Sequence, residues 1–153
     1  MPNVAIVTDS VADLPPQVAE ELEITVIPLV VRFDTESYLD GLGLSPDQFY
    51  EKLRNSKILP ATSAPSPAAF ADAYHKLAEK TNEIVVISLT SRLSATYQAA
   101  LDAAELMKKR CCVEVLDSQW AVMAQGFIAI AAAKAARSGA SICLLYTSDA
   151  ADE

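Results

Sequence analysis

The chain has 153 residues, of which 52% are apolar and 21% charged, which suits one hydrophobic core and is short for two domains. Its 12 basic and 20 acidic residues give a net charge of −8, which repels phosphate backbones and argues against nucleic acid as a partner. The balance stays acidic without Asp149, Asp152 and Glu153. Three cysteines, two of them adjacent at Cys111 and Cys112, make no paired disulfide framework, and Met-Pro-Asn at the start lacks the basic region of a signal peptide. A cytoplasmic location is the expectation.

In chain order, Val4 to Thr8 is a continuous apolar run of the kind a central strand shows, ending in Asp9-Ser10. Pro15 and Pro16 open a short helix to about Leu22, and Ile24 to Phe33 reads as one further strand. Ser45-Pro46-Asp47-Gln48 predicts a capping box and a helix to about Arg54. Ser66-Pro67 starts another, with Phe70, Ala73, Tyr74 and Leu77 on one face. Ile84 to Leu89 predicts a second buried strand, followed by Thr90 to Ser94 and a helix from Ala95 to Lys109. Val113 to Leu116 predicts a third strand, leading through Asp117-Ser118 into an apolar helix over 121–136. Gln125, Gly126 and Lys134 interrupt that stretch, leaving it short of the roughly 20 apolar residues a membrane span needs, so no stable membrane insertion is expected. Ile142 to Ser148 has the look of a strand.

This alternation predicts an α/β fold: a mainly parallel sheet with helices on both faces, in three Rossmann-like layers. Ligands in such sheets sit beyond the carboxyl ends of the strands. The loops there are rich in hydroxyls, including Ser10, Thr62, Ser63, Ser91, Ser94, Thr96 and Ser118, with few titratable groups. Hydroxyls and free helix amides suit an anion such as a carboxylate or phosphate, although any one of these residues could simply cap its helix. A nucleophilic triad lacks its base, since the single histidine, His75, falls in mid-helix. The cysteines lack metal-ligand spacing, and Gly41 and Gly43 lack a phosphate-loop framework. One enzymatic alternative stays open: Asp9, ending the first strand, as the nucleophile of a metal-dependent phosphotransferase or hydrolase.

Four motifs taken together, Thr8-Asp9-Ser10-Val11-Ala12-Asp13-Leu14, Ala61-Thr62-Ser63-Ala64-Pro65-Ser66, Leu93-Ser94-Ala95-Thr96-Tyr97-Gln98-Ala99-Ala100 and Leu116-Asp117-Ser118, resemble the DegV family across nearly all of Asn3 to Ser141. The resemblance implies the amino-terminal lobe of a two-lobed fatty-acid-binding protein that does no catalysis itself. No cofactor or metal is implied; the ligand is a long-chain fatty acid. By the same resemblance the protein presents that lipid to a separate fatty acid kinase catalytic subunit, which makes an acyl phosphate for phospholipid metabolism. Thr62, Ser63 and Ser94 would hold the carboxylate, with Asp9, Ser10, Arg92, Ala95, Thr96, Asp117 and Ser118 in the supporting loops. Thr62 and Ser94 are expected to converge at one point of the rim. The family usually has Gln at Ala64 and glycines at Arg92 and Ala95, so this chain adds a charge and a methyl near the carboxylate position. The expected boundaries are a native lobe over 1–141, lacking its second lobe, and a non-native tail over 142–153. A fragment without function is the remaining alternative.

Overall fold

A computed structural model describes residues 3–145. The first strand, β1 (Val4–Asp9), is followed by a single 3₁₀ turn at Ser10–Ala12 and by α1 (Pro16–Glu21). Next come β2 (Thr25–Ile27), β3 (Val30–Phe33), β4 (Glu36–Leu39), α2 (Pro46–Asn55) and β5 (Ala61–Ser63). The chain continues through α3 (Pro67–Leu77), β6 (Glu83–Ser88), α4 (Thr96–Met107), β7 (Cys112–Asp117) and α5 (Val122–Arg137).

Four strands form a parallel sheet in the order β2-β1-β6-β7, with Val7 opposite Val86 and Val86 opposite Val115. Strand alternation sends their side chains into two cores. On one face Val7, Ile84, Val86 and Val115 meet Phe70 and Tyr74 of α3 and Ala100, Ala103 and Met107 of α4. On the other, Val4, Ile6, Val85 and Ile87 meet Ala129, Ala133 and Ala136 of α5 and Ala19 of α1. The small side chains of α5 let its backbone lie close to the sheet. At Gly126 the approach is closest: a Cβ there would stand 2.6 Å from the Ala12 carbonyl oxygen.

The predicted layers are therefore present, but Ile24 to Phe33 is not one strand. Pro28 has no N–H to give the ladder, and the Leu29 N–H donates instead to Ser10 Oγ at 3.0 Å. The chain leaves the parallel sheet there and enters a second, antiparallel sheet in the order β4-β3-β5. Its β3–β4 hairpin turns at Asp34-Thr35, with Asp34 at φ +53°, a conformation aspartate tolerates. The Ser45 capping box on α2 is formed, and Phe49 of that helix packs against Val31 and Phe33.

Ile142 to Leu145 is helical rather than extended. Ile142 and Leu145, three apart, are buried against the α5 face of the sheet, whereas Cys143 and Leu144 are exposed, a spacing that suits a helical turn. The remainder of the expected strand and tail, 146–153, lies outside the described residues. Among the described residues no helix is long and apolar enough to cross a membrane.

Candidate functional site

From β1 the chain passes to β2 on one side and later returns to β6 on the other, so the order reverses at the β1–β6 boundary. A crevice opens at such a point beyond the carboxyl ends of the strands. Asp9 ties that boundary together. Its Oδ2 accepts the Leu89 N–H at 2.8 Å and its Oδ1 accepts the Val11 N–H at 3.1 Å. Burial pushes the Asp9 carboxyl above its usual range, opposed by the Leu89, Gln125 and Val11 hydrogen bonds. Beside it, Gln125 Nε2 donates to Thr8 Oγ1 at 3.0 Å, and the Thr8 hydroxyl donates to the Ile87 carbonyl at 2.8 Å. Gln125 Oε1 is buried without a partner. Ser10 is committed to Leu29, which anchors the second sheet to this rim.

The loops after β6 and β7 are bound to each other. Asp117, ending β7, accepts the Ser91 hydroxyl at 2.5 Å, the Ser91 N–H at 3.3 Å and the Gln119 N–H at 2.9 Å. Partial burial acts to raise the Asp117 carboxyl, but the Ser91 and Gln119 bonds and the Arg92 charge prevail and hold it below its usual value. The Thr90 N–H donates to the Trp120 carbonyl at 3.0 Å and the Ser118 N–H to the Ser88 carbonyl at 3.0 Å. The Ser118 hydroxyl donates to the same Trp120 carbonyl at 3.1 Å and accepts the Trp120 N–H at 3.2 Å.

Ser94 and Thr96 lie together where α4 begins, their hydroxyls 2.8 Å apart, with Thr96 buried and Ser94 half-buried. Ser94 Oγ accepts the Thr96 N–H at 3.2 Å. Ala95, at the cap position, makes no side-chain cap hydrogen bond, so Ser94 Oγ serves as the side-chain acceptor where α4 starts. Arg92 and Ala95 are exposed. Thr62 and Ser63 stand elsewhere, on β5 of the antiparallel sheet, exposed and with hydroxyls in no hydrogen bond among the described residues. Thr62 pairs with Val31 and Ser63 with Val30, so strand alternation sends the two side chains to opposite faces. Val30 is the third residue after Ile27, which pairs with Asp9, so the register brings this end of β5 toward the rim of the parallel sheet. The structure thus groups Asp9 with the loop of Ser94 and with Asp117 and Ser118, and carries Thr62 and Ser63 on a separate arm.

Sequence reasoning passed over two residues. Gln125 interrupts an apolar helix in the sequence, and a buried polar side chain needs a partner, which here is Thr8 beside Asp9. Ser91 counted as one hydroxyl among several, with nothing local to pair it with Asp117, 26 residues away. His75 lies on α3 with Nδ1 3.0 Å from Arg110 Nη1, and forms no hydrogen bond with the rim. Among the described residues no group of three His, Cys, Asp or Glu side chains could hold a metal.

Hydroxyl-bearing loops at the switch point of an open α/β sheet mark the place where such folds bind ligands. The chain belongs to the DegV family, whose model matches residues 3–147, past Ser141. A DegV domain-containing protein of Caldanaerobacter subterraneus subsp. tengcongensis is 36% identical over 141 residues, covering 92% of this chain and 50% of that protein. The structure of DegV, a fatty acid binding protein from Bacillus subtilis, superposes with a TM-score of 0.89 at 31% identity, over 97% of this chain and 53% of that one. A Thermotoga maritima protein whose structure is described as revealing fatty acid binding function gives 0.87 at 30% identity, over 97% and 54%. The chain spans about half the length of the curated relatives it matches.

Proposed function

We propose that this chain is the carboxylate-holding lobe of a two-lobed protein that binds a long-chain fatty acid and presents it to a separate ATP-dependent fatty acid kinase. The observation that supports the reading is the rim itself: the loops carrying Ser94, Asp117 and Ser118 are tied together at the switch point, and β5 of the adjoining sheet carries the uncommitted hydroxyls of Thr62 and Ser63. A carboxylate accepting several hydrogen bonds stays ionised in an apolar pocket where an unpartnered one would not. Thr62 donates its hydroxyl to the carboxylate, Ser94 contributes its N–H, and Ser63, facing the other way, contributes through its backbone. The neighbours described as fatty acid binding support the ligand class. The protein works in the cytoplasm within phospholipid metabolism.

The Asp9 nucleophile reading finds no support in the geometry. A nucleophile must reach its substrate, and Asp9 is 1% exposed with each oxygen accepting a backbone N–H.

Calorimetric titration of the chain with oleate tests the reading, with Bacillus subtilis DegV as a control. Thr62→Ala weakens binding about tenfold, the cost of one charge-assisted hydrogen bond, and methyl oleate fails to bind. Equal binding of the ester and the acid would sink the carboxylate role. The kinase role is tested by whether the oleate-loaded protein supports ATP consumption by a purified fatty acid kinase catalytic subunit.

A further inference from the structure

The loop from Leu89 to Ala95 carries Ser94 to the rim, yet it lies in no strand or helix and its middle residues, Ser91 to Leu93, are exposed. Its position is set by bonds to its neighbours. The Leu89 N–H is held by Asp9, the Thr90 N–H by the Trp120 carbonyl, and Ser91 by Asp117. Of these, the Asp117 contact is the one made by an ionised side chain from a different strand to the exposed part of the loop. It takes both donors of Ser91, on both carboxylate oxygens for the N–H, while one oxygen also holds the Gln119 N–H. A carboxylate accepting several donors binds more tightly than a neutral acceptor would.

Resting on the carboxylate reading above, we infer that Asp117 is a positioning residue: through Ser91 it fixes the loop that presents Ser94 to the ligand, without touching the ligand itself. Preorganised donors bind an anion without the cost of ordering the loop on each encounter. Releasing the Ser91 latch leaves every ligand-contacting group in place in the sequence and unfixed in space.

Trp120 supplies a direct reporter. It is the single tryptophan, its carbonyl receives the Thr90 N–H, and its own N–H is held by Ser118 next to Asp117. In the intact chain, Asp117→Asn weakens oleate binding about tenfold and Ser91→Ala about threefold, while the double variant is no weaker than Asp117→Asn alone. Ser91→Thr restores most of the affinity lost in Ser91→Ala. Trp120 fluorescence anisotropy falls in Asp117→Asn well below its melting temperature, which a loss of global stability alone would not produce. Wild-type affinity in both Ser91→Ala and Asp117→Asn, or losses that simply add, would overturn the inference and leave the lipid-binding reading standing. A wild-type chain that binds no oleate where Bacillus subtilis DegV does would remove carboxylate holding by this chain, and the inference with it. Should Asp117→Asn fail to fold, the Ser91 pair of variants decides alone: equal affinity in Ser91→Ala and Ser91→Thr overturns the latch.

Discussion

The two sheets differ in what holds them. The parallel sheet is packed on both faces, and Phe70, Tyr74, Ile84 and Met107 on one face and Val4 and Val85 on the other are fully buried or nearly so. The antiparallel sheet buries Val31, Phe33 and Leu44 on one face, with Tyr38 and Phe49 partly covered. Apolar area removed from water is the main favourable term in folding, so the first sheet is the stable body and the second a lightly held arm. Asp9, Asp117 and Ser94 belong to the body, Thr62 and Ser63 to the arm. A ligand bridging the two would gain specificity from the first and adjustability from the second.

The comparison is broken most forcefully from inside the body. Phe70→Ala empties a site with no exposure and costs about 3 to 5 kcal/mol, read by chemical denaturation. A loss below about 1 kcal/mol would mean that the α3 face contributes little. Gly126→Ala forces a methyl toward the Ala12 carbonyl and costs about 1 to 3 kcal/mol, because α5 or the turn after β1 must shift. Ser45→Ala removes the cap of α2, the helix that covers the arm, at about 1 kcal/mol. Hydrogen exchange sharpens the contrast: amides of β3 lose protection in Ser45→Ala while those of β6 keep it. Equal loss in both strands would show that the sheets unfold as one unit.

The body was legible in the sequence and the arm was not, for one physical reason. Val4 to Thr8 and Ile84 to Leu89 are buried on both faces, so they read as unbroken apolar runs, and Ser45 and Ser66 announce their helices through short-range capping. In the arm, Glu36 to Leu39 is mostly exposed and leaves no alternation, and Pro28, whose missing N–H marks the change of sheet, lies inside an otherwise apolar stretch. At the rim, the residue types were readable and the partnerships were not. That Ser91 meets Asp117 follows from the register that sets Ser88 opposite Asp117, which no local pattern encodes.

The smallest expected effect concerns Asp9, where body and arm meet. Burial raises its carboxyl pKa in the folded chain, so between the unfolded and folded values the native state binds more protons than the unfolded one. Stability from this group is therefore fully present below the ordinary carboxylate range and is lost as pH rises through the raised value. Asp117 works in the opposite sense, its lowered pKa favouring the folded state above the ordinary range. Comparing the chain with Asp9→Asn cancels Asp117 and isolates Asp9: the difference in stability between the two changes with pH just above the ordinary carboxylate range and is flat elsewhere. A difference that stays constant there would mean that the Leu89 and Val11 amides offset the burial completely, leaving Asp9 a fixed anion between the two loops.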